Sequence, residues 1–209
     1  MGRPSTAHVR TVIPSRYGSW QHQQVGRIDY SKAAPSYRIL RALPPDVAAS
    51  WDAAIADLGI HRVGRVLDVG AGPGLFLGHL NDWFGAPITA IEPSDAMRRE
   101  AQASELPAGC TYVAAAGEQL PLCSDSHDLA WLSTVVHQLD DVAQTARELW
   151  RVIAPGGSVL LRGLFGDMEP AGLLARFPGA ERAVGWFPRT DSVVDAFTGQ
   201  ASHSQRVPT

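Results

Sequence analysis

The stretch Val66-Leu67-Asp68-Val69-Gly70-Ala71-Gly72-Pro73-Gly74-Leu75-Phe76 decides how this chain of 209 residues is read. Val66, Leu67 and Val69 have the length and β-branching of a buried strand. Glycines at 70, 72 and 74 follow at once, and with no Cβ they let the backbone turn tightly and approach a ligand. Leu75, Phe76, Leu77 and Leu80 then open a helix, whose first N–H groups favour electron-rich ligand atoms. Strand, glycine loop and helix in this order predict a nucleotide-type binding site.

Three kinds of nucleotide site share such a unit. The dinucleotide fingerprint G-x-G-x-x-G would place its third glycine at Leu75. A phosphate-cradling P-loop would carry G-K-[ST] after its glycines, and none is present. V-L-D-V-G-A-G-P-G instead resembles the first motif of the class I S-adenosylmethionine-dependent methyltransferases, E/D-x-G-x-G-x-G. The resemblance implies that Asp68 and the loop Gly70, Ala71, Gly72 and Gly74 hold the methionine end of S-adenosylmethionine.

The downstream segments extend the likeness. Pro87–Glu92 reads as a second buried strand ending in an acid, followed by Pro93, Ser94, Asp95, Ala96 and Met97. A carboxylate at the end of the second strand of a doubly wound sheet is placed to bind both ribose hydroxyls. The family gives Glu92 that role, with Pro93 and Met97 beside it, while Ser94 or Asp95 caps the next helix. Cys110–Ala114 is a third strand. Ala116-Gly117-Glu118-Gln119-Leu120-Pro121 is similar to the adenine-lining G-D-A-E-x-L-P, so the resemblance implies that Gly117 and Glu118 contact the adenine through their backbone. The family's adenine-binding carboxylate is Ala116 here.

His127–Ser133 resembles the fourth strand, with Ser133 at its cofactor end. Val142, Ala146, Leu149, Trp150 and Ile153 mark a helix by their three- and four-residue spacing. Ala154-Pro155-Gly156-Gly157 is expected to end that helix, and Ser158–Arg162 to form a fifth strand. L-W-R-V-I-A-P-G-G-S-V-L-L is close to the family's L-x-R-V-L-x-P-G-G-x-L-x-I. Alternating strands and helices predict an α/β, doubly wound, mostly parallel sheet with right-handed crossovers, the ligand lying at the carboxyl ends of its central strands.

The resemblance places a methyltransferase domain over residues 46–199, after a lead-in and helical cap at 1–45 and before a polar tail at 200–209. In the lead-in, Asp29–Arg41 is similar to Y-D-x-x-A-x-x-Y-x-x-x-R, which implies Tyr30 over the site and Arg41 on the cofactor's carboxylate. The polar first 25 or so residues are expected to be mobile until they close over a substrate. A full class I sheet has two further strands after the fifth. Here 169–176 and 191–197 read as helices and 198–209 contains no strand pattern. The final one or two strands are therefore expected to be missing, leaving the fifth-strand edge bare and available for a homodimer.

Composition agrees with an enzyme acting on a small molecule. A net charge of −3 without any Lys/Arg run argues against a nucleic acid partner. No apolar stretch approaches membrane length and no signal-type start is present, so the chain is expected to be cytoplasmic with no membrane partner. Two cysteines are too few for a disulfide framework or a zinc site, and no metal is expected.

The methyl donor is already activated, so the protein's task is to align a nucleophile and exclude water. His137, just after the fourth strand, is the candidate base, with an ordinary pKa of roughly 6.5. Asp140 and Asp141 are better read as helix caps. His79 is expected on the wet face of the first crossover helix. Trp20, Tyr30, Trp131, Phe165, Trp186 and Phe187 supply aromatic surface for a flat or apolar acceptor, though each is also suited to packing. The expected function is methyl transfer to an O, N or C nucleophile. The alternative is a cofactor-binding module without catalysis, serving as a partner subunit or in a non-methylating reaction, which Ala116 and the missing strands favour.

Overall fold

The structure is a computed structural model that describes residues 8–12, 45–60, 62–163, 165–167, 187–198 and 203–207, with side chains within 51–60, 62–163, 165–167 and 187–198. In chain order the elements are β1 (His8–Val12), α1 (Pro45–Asp57), β2 (Val66–Val69), α2 (Leu77–Phe84), β3 (Ile88–Ile91), α3 (Asp95–Gln102) and β4 (Cys110–Val113). Then come β5 (His127–Ser133), a 3₁₀ turn (Val136–Gln138), α4 (Val142–Val152), β6 (Ile153–Arg162), α5 (Thr190–Thr198) and β7 (His203–Val207).

The strands form one sheet in the order β4-β3-β2-β5-β6-β1-β7, with every pairing parallel. The strand order reverses between β2 and β5, which opens a crevice at their carboxyl ends. Alternate residues of the central strands feed two apolar layers. Leu129 and Trp131 of β5 join Trp51, Phe76, Leu77 and Leu80 on one face. Ala130 and Leu132 join Leu149, Val152, Val193 and Phe197 on the other. Burial on both faces is why these strands read as continuous apolar runs. Among the described residues no helix is long and apolar enough to cross a membrane.

The α/β parallel architecture matches the expectation, and three points differ. First, the sheet does not end at β6. β1 pairs with β6 from His8↔Ser158 to Val12↔Arg162, and β7 pairs with β1. The edge on which the expected homodimer rested is thus occupied by the chain's own N-terminal segment, because an unpaired row of N–H and C=O groups accepts any strand that reaches it. Second, the sheet draws on residues before 45 and after 199, so the polar tail contributes β7. Third, the helix before β6 stops at Val152. Ile153 is its extended cap and already belongs to β6, and the Pro155–Gly157 turn lies inside the strand. α1 packs Trp51, Ile55 and Leu58 into the same core layer as Leu129 and Trp131. The helix expected at 169–176 and the lead-in around Tyr30 and Arg41 lie outside the described residues.

Candidate active site

The glycine loop is built as a sharp bend locked to the strand beside it. Gly70 N and Ala71 N both donate to Ile91 O, at 2.8 and 3.0 Å, and Gly74 N donates to Ala71 O at 3.0 Å. Gly70, Gly72 and Gly74 have φ of 73°, 56° and 82°, in the left-handed region that side chains disfavour. Their surroundings differ. A Cβ at Gly70 would sit 2.3 Å from Val135 Cγ2, and one at Gly74 would sit 2.8 Å from Leu77 Cδ1. A Cβ at Gly72 would meet nothing within 4 Å. Gly72 is therefore the residue whose bare backbone faces open space. Tyr112 of β4 braces the same turn, its hydroxyl donating to Gly72 O at 3.1 Å.

Glu92 stands at the end of β3, buried and tied to this turn. Its Oε2 accepts from Gly72 N at 2.9 Å and its Oε1 from Ser94 N at 2.8 Å. Burial raises its pKa, while the Ser94 and Gly72 N–H groups and Arg98 pull it down. Arg98 Nη1 donates to both Glu92 O and Pro93 O, at 2.7 and 2.8 Å, pinning the turn that carries the carboxylate. Ser94 caps α3, accepting from Met97 N, as the capping pattern predicts. Met97 is buried on that helix and Pro93 is exposed.

Asp68 lies on β2 immediately before the loop and is 2 % exposed. Its carboxyl is pushed up from 3.8 to about 8, chiefly by loss of water and further by the negative charge of Glu92. Asp68 and Glu92 are thus two buried acids whose charges act on each other. Burial, with a smaller contribution from Asp68, likewise pushes the Cys110 thiol up to about 11.

At the end of β5, Ser133 and Thr134 meet Arg162 of β6. Arg162 Nη1 donates to Ser133 Oγ at 2.9 Å and to Thr134 Oγ1 at 3.1 Å. His137 follows in the 3₁₀ turn, half-buried, with its ring edge-on to Phe187 at 4.8 Å between centroids. These groups join the glycine loop and Glu92 at the carboxyl ends of the strands.

Gly117, Glu118, Asp141, His79, Trp131 and Phe165 have surroundings of other kinds. Gly117 is buried, with Thr145, Val69 and Leu139 within 3.4 Å of where its Cβ would be. Glu118 turns its carboxylate to the start of α4, where Oε1 accepts from Asp140 N and Asp141 N, and its backbone oxygen accepts from Gln144 Nε2. Asp141 caps α4 through Gln144 N, as the capping reading expects. His79 is half-buried and stacked on Trp83 at 5.5 Å, so it does not lie on a wet face. Trp131 and Phe165 are fully buried core residues and do not wall a pocket. Sequence reasoning missed Tyr112, Arg98 and Arg162. Only Arg162 carried a local signal, a cation closing an apolar strand at its ligand-facing end.

Comparison with known proteins bears on this geometry. Residues 67–161 match the methyltransferase domain family. The chain is 39% identical over 141 residues to a malonyl-[acyl-carrier protein] O-methyltransferase of Pseudescherichia vulneris, covering 68% of this chain and 54% of that protein. It is 32% identical over 186 residues to an uncharacterized methyltransferase of Mycobacterium leprae, covering 85% of this chain and 68% of that one. The chain thus spans about half the length of the first relative. A crystal structure of a SAM-dependent methyltransferase from Aquifex aeolicus shares the fold at a TM-score of 0.61 and 19% identity, over 83% of this chain and 88% of that one.

Proposed function

This chain belongs to the class I S-adenosylmethionine-dependent methyltransferases, and from that premise we propose that it moves a methyl group from S-adenosylmethionine to a small-molecule nucleophile. The observation that carries the reading is the Glu92 carboxylate bonded to the Gly72 amide beside the open side of Gly72. A buried carboxylate there suits a vicinal diol, because each oxygen keeps acceptor capacity beyond its one N–H bond. The bare loop admits the flat body of a nucleoside close to the backbone. A cationic end of the same molecule lying beside Asp68 would draw that buried carboxyl back to its ionised form. The sulfonium of the bound cofactor supplies an activated methyl group.

The remaining work falls to positioning and water exclusion. Where the acceptor must lose a proton, His137 is the base, held edge-on against Phe187. The Pseudescherichia relative is named for a malonyl group on acyl carrier protein, and an oxygen nucleophile of that kind is the first acceptor to assay. The non-catalytic alternative had two supports. One is an edge left bare after β6, where β1 and β7 continue the sheet, and the other is Ala116.

The test is calorimetry with S-adenosylmethionine and S-adenosylhomocysteine, followed by transfer of labelled methyl to a panel of acids, phenols and amines. Micromolar binding and transfer to at least one acceptor is the expected result. No binding of either molecule overturns the reading, and binding without any transfer favours the non-catalytic one.

A further inference from the structure

Arg98 folds its guanidinium back over the start of α3, and its side chain is only 17% exposed. Nη1 donates to Glu92 O at 2.7 Å and to Pro93 O at 2.8 Å, while Nη2 donates to Asp95 Oδ1 at 3.2 Å. One side chain thus ties two successive carbonyls at the corner where β3 gives way to α3. The same corner sets where the Glu92 carboxylate points. A cation at a helix N-terminus opposes the helix dipole, so the stability of α3 alone does not explain this placement.

The second effect of Arg98 is on charge. The groups around Glu92 that carry or can carry charge are Asp68 on β2, Arg98 on α3 with Asp95 and Arg99 behind it, and Tyr112 on β4, whose hydroxyl bonds Gly72 O. Glu92 has two N–H bonds, from Gly72 and Ser94, and the Arg98 cation to favour its anion. Asp68 has only burial and the Glu92 charge acting on it, and both keep its proton on. The negative charge of the pair therefore rests on Glu92. That choice matters for a diol. An ionised carboxylate is an acceptor only, so each oxygen can take a hydroxyl proton beside its N–H bond; once protonated, one oxygen becomes a donor and loses that capacity.

We infer that Arg98 is the positioning residue of the ribose subsite: it fixes the corner that aims the Glu92 carboxylate and supplies that carboxylate's counter-charge. This inference rests on the methyl-transfer reading, in which Glu92 accepts from the ribose, and it names what makes that acceptor work. Arg98 acts through Glu92, since its own Nη1 and Nη2 are engaged on the corner carbonyls and on Asp95. A guanidinium suits the task because it directs separate nitrogens at fixed angles, which a single ammonium cannot. Without Arg98, two carbonyls lose their donor and a buried acid loses its cation. Glu92 then takes up a proton at a higher pH, and the diol loses its acceptor there.

The experiment measures by calorimetry, from pH 5 to pH 8, the affinities of S-adenosylhomocysteine and of its 2′-deoxyribose analogue, and follows their ratio. The two ligands share the amino acid end that lies toward Asp68, so its titration bears on both alike. The wild type is expected to prefer the ribose tenfold or more at neutral pH. Arg98→Met is expected to lower that preference at least threefold and to move its loss on acidification to higher pH. Arg98→Gln, which retains a donor for the corner, serves the same test where Arg98→Met does not fold, and Arg98→Lys is expected to stand between these variants and the wild type. A merely structural role would weaken both ligands together and leave the pH of that loss in place. In a Glu92→Ala background, Arg98→Met is expected to change S-adenosylhomocysteine affinity less than twofold, because the group it acts through is gone. The proposal is overturned if the neutral variants keep the wild-type preference and pH profile. It is also overturned if Arg98→Met costs as much affinity in Glu92→Ala as in the wild type. If the wild type binds S-adenosylhomocysteine without preferring the ribose, the role of Glu92 fails and this one with it; if it prefers the ribose and the Arg98 variants match it, only the Arg98 assignment fails.

Discussion

Gly70, Gly72 and Gly74 share a positive φ but are required for different reasons, and substitution separates them. Gly70→Ala drives a methyl group into Val135 and adds left-handed strain, so it is expected to cost about 3 kcal/mol and lower Tm by roughly 10 °C. Gly72→Ala carries the strain alone, about 1–2 kcal/mol, and places its methyl where the ligand is proposed to lie. Its expected signature is a folded protein with cofactor affinity reduced at least tenfold; unchanged affinity would remove Gly72 from the site. Glu92→Ala removes the carboxylate proposed to hold the diol and is expected to weaken cofactor binding by roughly two orders of magnitude in calorimetry. Asp68 makes the ligand-free protein pH-sensitive. Its carboxyl loses its proton near pH 3.8 when exposed and near pH 8 when buried, so between those values the folded state binds more protons than the unfolded chain. Stability of the ligand-free protein therefore falls as pH rises through this window. Melting curves from pH 5 to pH 8 are expected to show a decline in the wild type and a smaller one in Asp68→Asn; parallel slopes would contradict the assignment.

The elements show where local chemistry suffices and where it stops. Ser94 and Asp141 were legible as caps because an oxygen three residues before a free N–H has the same geometry in any helix. Asp141→Ala is expected to cost about 1 kcal/mol, a Tm drop of roughly 2–4 °C, with no change in cofactor affinity. A large affinity loss would mean that α4's start touches the ligand. The end of α4 falls slightly short of the Ala154–Gly157 stop: Ile153 leaves the helix to pair with His127, a gain that depends on β5 and is invisible from within the segment. Glu118 likewise matched an adenine-lining pattern, yet its carboxylate bonds the N–H groups at the start of α4.

At the scale of the whole molecule, the sheet is completed from both ends of the chain. Deleting residues 1–12 is expected to uncover the β6 edge, lowering Tm and driving self-association in sizing experiments. A truncated monomer with unaltered Tm would show that β1 adds nothing. By itself the sequence determined the strand–glycine loop–helix unit, the acid at the end of β3, the alternation up to β6 and hence the family, because each is a short-range pattern of apolar period, missing Cβ or capping oxygen. Only the tertiary structure decided that β1 lies between β6 and β7, that Trp131 is core, and that Arg162 is clamped between Trp51 and Phe76. Those choices rest on partners more than 25 residues away along the chain, and His8–Val12 carries no local mark naming Ser158–Arg162 as its neighbour. Pairing of that kind is selected by which edge remains open once the rest has packed.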